Sequence, residues 1–249
     1  VNEFDANLNT IINQISTGNY TKFNNWSCTA PVNGPVTWTS GVSTNQGANT
    51  GCVFLGEVIH PFQTGDYNTY TIVGRRKVRD TASQEVQSLS QAMPTLAIDN
   101  SSGAAAPDIY SGYKLPNGLV VKALIHTSKA GVTKNIDAFA FISTLGKYSG
   151  AGNDLVSSSQ SVLVLPICSS YTDPNTDCNG PGVSQLMATN DSSSRTSIAD
   201  RFPGVLSENL WNPQKIVVCI ARSASNPSQV AIVIGEDSSK LTTRVELNN

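Results

Sequence analysis

Asp173, Asn175, Asp177 and Asn179 alternate ahead of Gly180, and oxygen-bearing side chains at every second residue are what a hard cation such as calcium can wrap. The spacing follows only part of an EF-hand loop, because the glycine falls late and Ser184 stands where a closing glutamate belongs. A turn dense in turn-forming residues accounts for the same stretch more simply, so calcium on Asp173, Asn175 and Asp177 is the weaker of the two readings. The one dense positive cluster is Arg75, Arg76, Lys77 and Arg79, a contact for an anion or DNA or, more simply, a solvated strand end. Alternation along a strand sets Arg75 and Lys77 on one face and Arg76 on the other. Only part of the cluster can therefore act together.

Covalent chemistry finds less support. His60 precedes Pro61 and His126 closes an apolar run, positions that suit packed or surface imidazoles better than general bases. Ser184, in Gly-Val-Ser-Gln-Leu, lacks the second glycine of a nucleophile elbow. Neither Gly-x-Gly-x-x-Gly nor a Walker A pattern occurs. Zinc would want a C-x-x-C or neighbouring histidines, and the chain has neither. An enzyme is the least favoured class.

Five cysteines stand at 28, 52, 168, 178 and 219. Cys168 and Cys178 bracket a hydrophilic loop of a length that a disulfide closes for about 2–4 kcal/mol. Cys28 follows the N-terminal segment, Cys52 opens an apolar run, and Cys219 lies inside Ile-Val-Val-Cys-Ile-Ala as a buried apolar side chain would. Of several pairings the one expected is Cys28 with Cys52 and Cys168 with Cys178, leaving Cys219 free. It implies an oxidising compartment.

These residues must be held by one helix and many strands. Phe4, Leu8, Ile11, Ile12 and Ile15 fall on one helical face while Asn2, Asp5, Asn9, Asn13 and Gln14 point elsewhere, and the pattern runs out at Thr17-Gly18-Asn19. The spacing predicts a helix within 1–18, about 24 Å long for roughly sixteen residues at about 1.5 Å each, laid on a core. Apolar runs then predict a first hairpin over 52–77, a second pair from 119–127 and 136–145, a strand buried on both faces over 161–168, and a C-terminal meander over 215–248. Asp80 to Met93 reads as a second helix, from Val86, Leu89 and Met93 ahead of Pro94, and 95–116 reads as an excursion. The expected fold class is α+β, an N-terminal amphipathic helix packed on a mainly antiparallel β-sheet body, in a single domain over 1–249.

Composition narrows the setting. Charged residues make up 14% of the chain, against about 25% in an ordinary soluble protein, and Ser, Thr, Asn and Gly fill their place, as is common outside the cell. A net charge of −2 leaves no global positive field to gather nucleic acid or anionic lipid. No apolar run of about eighteen residues could span a membrane. The chain opens on Val1, so processing or a boundary is expected to have removed what precedes it. Asn19, Asn25, Asn100 and Asn190 fit the N-x-S/T acceptor pattern, which arises easily by chance in a chain this rich in Asn and Ser.

The order of segments, a helix ending in Ile-Ser-Thr-Gly-Asn-Tyr, then Asn-Asn-Trp-Ser-Cys28, then Cys52-Val-Phe-Leu-Gly-Glu-Val-Ile, resembles a type IV pilin-like protein of the minor pilin or pseudopilin, FimT-like branch, without its hydrophobic N-terminal half-helix. The closing Gln-Val-Ala-Ile-Val-Ile-Gly-Glu and Arg-Val-Glu-Leu resemble that branch's last strands. The resemblance covers the helix, the first hairpin and the meander, about half the chain; the middle, from about Arg79 to Asn212, is longer than the family leads one to expect. It implies a structural or tip subunit of a surface filament acting in adhesion, motility, secretion or DNA uptake. Its partners would be other pilin subunits through the N-terminal helix, and a host-cell surface or DNA. An upstream apolar segment would anchor the precursor in the membrane. The Arg75 to Arg79 cluster matches no DNA motif of that branch. A free extracellular adhesin or glycan-binding module and a virion surface protein are the alternatives, and neither of these nor the filament reading calls for a cofactor.

Overall fold

The computed structural model describes residues 1–17, 26–29, 36–40, 52–62, 64–78, 81–86, 89–97, 110–127, 131, 133–143, 162–167, 215–223, 225, 227, 230–237 and 240–247. Helix α1 (Asn2–Thr17) is followed by β1 (Trp26–Thr29) and β2 (Thr37–Ser40), then β3 (Cys52–Pro61), β4 (Asp66–Arg75), β5 (Lys77–Val78) and β6 (Thr81–Glu85). A single-turn helix α2 (Leu89–Ala92), β7 (Thr95–Leu96) and β8 (Tyr110–Lys114) lead to β9 (Val120–Thr127), β10 (Thr133–Asn135), β11 (Ala138–Ser143) and β12 (Val162–Ile167). Strands β13 (Lys215–Ala221), β14 (Val230–Asp237) and β15 (Lys240–Leu247) come last.

The helix-on-sheet expectation holds, and the body it packs on is two antiparallel sheets. One is ordered β12-β11-β3-β4, with β7 and β8 both pairing β4; the other is ordered β10-β9-β13-β14-β15. Helix α1 meets β3, β11 and β12 of the first sheet and β15 of the second. Phe4, Leu8, Ile11 and Ile15 share one core with Ile59, Phe139 and Phe141 of the first sheet and Ile216, Val218 and Ile232 of the second. The far face of the first sheet has a core of its own, built from Leu55, Val58, Ile72, Ala138, Ala140 and Ile142 with Leu89 and Ala92 from α2. Strand β11, Ala-Phe-Ala-Phe-Ile-Ser, thus sends its phenylalanines one way and its alanines the other. Burial on both faces is why such strands read as unbroken apolar runs.

Gly56 marks a close approach between β3 and β11. A Cβ there would lie 1.9 Å from the Phe141 carbonyl oxygen, and the β3–β4 register shifts between Phe54 and Gly56. Such a bulge re-aims the strand locally.

Three expectations are corrected. The segment 80–93 is not one helix: β6 folds back on β5, and the Val86 N–H donates to the Arg76 carbonyl. Hairpin pairing thereby takes the backbone groups a helix would need. Among the described residues of the segment only Leu89–Ala92 turns helically, and Met93, at φ 49°, ends it. The stretch 95–116 is more than an excursion, since it supplies β7 and β8. Finally, β9 and β11 do not pair. The Ile136 N–H still donates to Leu124 of the second sheet, but the Asp137 N–H donates to Ile167 of the first, so the chain crosses between sheets at that step.

Candidate assembly surface

Helix α1 is the element on which a function can be built, and its sequence fixes how it sits. Glu3 and Asp5 occupy the first turn, where negative charge favours the positive end of the helix dipole. At the other end the Ser16 and Thr17 hydroxyls both donate to the Asn13 carbonyl at 2.9 Å, and the Thr17 hydroxyl also reaches the Gln14 carbonyl at 3.3 Å, one of the last four acceptors that the helix itself leaves open. The apolar stripe is buried at Phe4, Leu8, Ile11 and Ile15, while Ile12 is half-buried at its border.

Two asparagines beside that stripe tie the helix to both sheets, a feature the apolar pattern did not reveal. Asn7 Nδ2 donates to the Tyr67 hydroxyl at 2.9 Å, on β4 of the first sheet. Asn9 Nδ2 donates to Thr243 Oγ1 at 2.8 Å, on β15 of the second. The Phe4 ring meets Tyr67 edge-on, centroids 4.8 Å apart, and Tyr67 stacks on Tyr113 of β8 at 5.0 Å. Burial is the main cause pushing the Tyr67 phenol up to about 12; the Asn7 hydrogen bond opposes it, and Tyr113 and Glu3 add to it.

Away from the core the helix presents Asn2, Ala6, Thr10, Asn13 and Thr17, all exposed and following one another at steps of three and four. That stripe carries no charge. It is opposite the buried one, so the helix has one face in the core and another of small, uncharged side chains in solvent, bordered by the exposed Glu3.

The remaining candidates scatter. Arg75 is 4% exposed and, by alternation with Tyr67, Thr69 and Thr71, lies on the core face of β4. Arg76 and Lys77 are exposed, and Arg79 lies outside the described residues. The cluster is therefore split between interior and solvent. Glu57, at 2% exposure, shares that inner face of the sheet, paired across β4 with Thr71 and across β11 with Phe141. It is a buried polar side chain that the apolar run around it concealed. The His60 imidazole packs on Phe62 with centroids 4.5 Å apart; burial lowers its pKa and Asp137 opposes that shift. His126 is buried on the inner face of the second sheet beside Ile216.

Asp173, Asn175, Asp177 and Ser184 lie outside the described residues. Among the described residues no three of His, Cys, Asp and Glu gather as a metal-ligand set. The expectation of disulfides is corrected as far as the described residues reach: no two of their sulfurs stand at bonding distance. Cys219 is a free, buried thiol. Cys52 is not a free thiol, and the side chain of Cys28, with Cys168 and Cys178, lies outside the described residues. No described helix is long and apolar enough to cross a membrane.

No family model, curated protein or solved structure matches this chain. The likeness that stands is architectural, a single N-terminal helix docked on an antiparallel β body, as in a generic pilin-like domain.

Proposed function

We propose that this chain is the globular head of a pilin-like surface filament subunit, with α1 as the element that joins head to filament. The observation that carries the reading is the two-sided helix. Phe4, Leu8, Ile11 and Ile15 are buried in the core shared by both sheets, while Asn2, Ala6, Thr10, Asn13 and Thr17 are exposed on the opposite side. A neutral face of small side chains lets a neighbouring helix approach without desolvating charge. In this reading the filament partners are further copies of the subunit, meeting along that face, and the precursor is held in the membrane by an apolar segment continuing the helix before Val1. The protein acts by assembly, in adhesion, motility, secretion or DNA uptake, rather than by turnover of a substrate.

Immunogold labelling of sheared filaments from cells expressing the full-length gene tests it, with labelled filaments as the expected result. Unlabelled filaments, with the protein confined to the medium, would replace this reading with a free adhesin. Label on particles shed with packaged nucleic acid would replace it with a virion surface protein.

A further inference from the structure

Among the described strands, β15 is an edge of the second sheet that is guarded by charge alone. It runs Lys240–Leu247 at the border of the second sheet, and its register with β14 is unbroken over all eight residues, from Val230 against Leu247 to Asp237 against Lys240. It contains no proline and no bulge, the two devices that most directly spoil an edge for strand addition. Two of the three large apolar side chains exposed among the described residues sit on it, Val245 at 38% and Leu247 at 76%. Both lie on the strand face that also carries Thr243, whereas Thr242, Arg244 and Glu246 lie on the other.

We propose that β15 pairs antiparallel with β15 of a second copy of this chain about a two-fold axis passing at Val245. That register sets Val245 against Val245 and Thr243 against Leu247 on one face, covering both exposed apolar side chains. On the other face it sets Arg244 of each copy directly opposite Glu246 of the other, twice by symmetry. In the single chain Arg244 and Glu246 are an ion pair with each other, two residues apart on the same face, and both are exposed enough to exchange partners. A charge pattern that would repel an unrelated edge is thus complementary to itself, and opposite charges facing each other across an antiparallel pair stabilise it. The contact joins the same patch on both copies and closes at two. In the filament reading it would link heads of different filaments and could not connect successive subunits of one, but it does not depend on that reading.

Sedimentation of the purified domain over a concentration series should show its mass rising toward twice the monomer and no further. R244E sets carboxylate against carboxylate in both contacts and should weaken the dimer roughly tenfold, while R244E/E246R should restore it; Arg244 is exposed and Glu246 half-buried, and an unchanged melting temperature would confirm that each variant folds. Under mild oxidation V245C should give a covalent dimer that the parent chain does not. A parent that stays monomeric, a dimer indifferent to R244E, a reversed pair that does not recover, or growth beyond two copies would each overturn the proposal.

Discussion

Replacing Leu8 by alanine probes whether α1 belongs to the cooperative core. Leu8 is 0% exposed and lies in the cluster shared by helix and both sheets. Truncation removes about three buried carbon groups, roughly 2.4 kcal/mol of transfer free energy at about 0.8 kcal/mol each. A cavity term adds to this, because a site bounded by a helix and two sheets can collapse only in part. Core Leu→Ala changes cost about 2–5 kcal/mol, and about 3–4 kcal/mol is expected here. For a 249-residue chain that is a fall in Tm of about 6–16 °C, at about 2–4 °C per kcal/mol for domains of this size.

Urea denaturation followed by circular dichroism should show a lower midpoint at unchanged slope. Two companions calibrate the result. Thr10→Ala touches an exposed side chain whose hydroxyl donates only to the Ala6 carbonyl of its own helix, at 2.8 Å, and should stay within about 0.5 kcal/mol of the parent. Asn9→Ala removes the tether to Thr243 and should cost about 1 kcal/mol. If Leu8→Ala moves the midpoint no further than Thr10→Ala, the helix is not part of the folding unit, and the two-sided helix on which the assembly reading rests is gone.

Gly56→Ala places a methyl group 1.9 Å from the Phe141 carbonyl oxygen, backbone against side chain with nothing flexible to yield; it should cost about 3 kcal/mol or more, read as a lowered urea midpoint, and a parent-like midpoint would refute the close β3–β11 approach. Tyr67 tests the polar anchor through pH: since the fold holds its phenol neutral up to about 12 against an ordinary 10.0, its contribution to stability is complete below pH 10.0 and declines as the pH rises from 10.0 toward about 12. Urea midpoints measured on either side of that lower value should show the decline in the parent and lose that component in Tyr67→Phe.

How much of this was legible in the chain depended on whether a local pattern had one structural meaning or two. The stripe Phe4, Leu8, Ile11, Ile15 has only a helical reading, and the helix is there; Ile12 fell outside the fully buried set because it stands one step around the cylinder, at the edge of the stripe. Val86, Leu89 and Met93 also stand at helical spacing, but there the backbone had a better offer from the β5–β6 hairpin, which spacing does not register. The runs 119–127 and 136–145 announced strands correctly and their partners wrongly, since side-chain alternation says which face is buried and not which sheet the strand joins. Alternation joined Arg75 to Lys77 on one face, but β4 ends at Arg75 and Lys77 is exposed with Arg76. Counting in twos from Tyr67 along β4 would have put Arg75 on the inner face instead.

The placement of Asn9 and Arg244 bears on whether the two proposed contacts can coexist. Asn9 holds Thr243 from the core side of β15, and strand alternation turns the next residue, Arg244, to the opposite side. The helix therefore secures the strand through one face and leaves the charged face and the open edge to act independently. A polar filament needs a contact that propagates from copy to copy, which a two-fold edge cannot supply, while the self-complementary charge that favours a closed pair of β15 strands is absent from the stripe Asn2, Ala6, Thr10, Asn13 and Thr17. The two surfaces thus differ in the kind of contact their composition favours. Disabling the edge with R244E should therefore leave filament incorporation intact, and placing a charge in the helix stripe, as in Ala6→Glu, should block incorporation while dimers persist. Loss of both together in either variant would mean that the two surfaces are one.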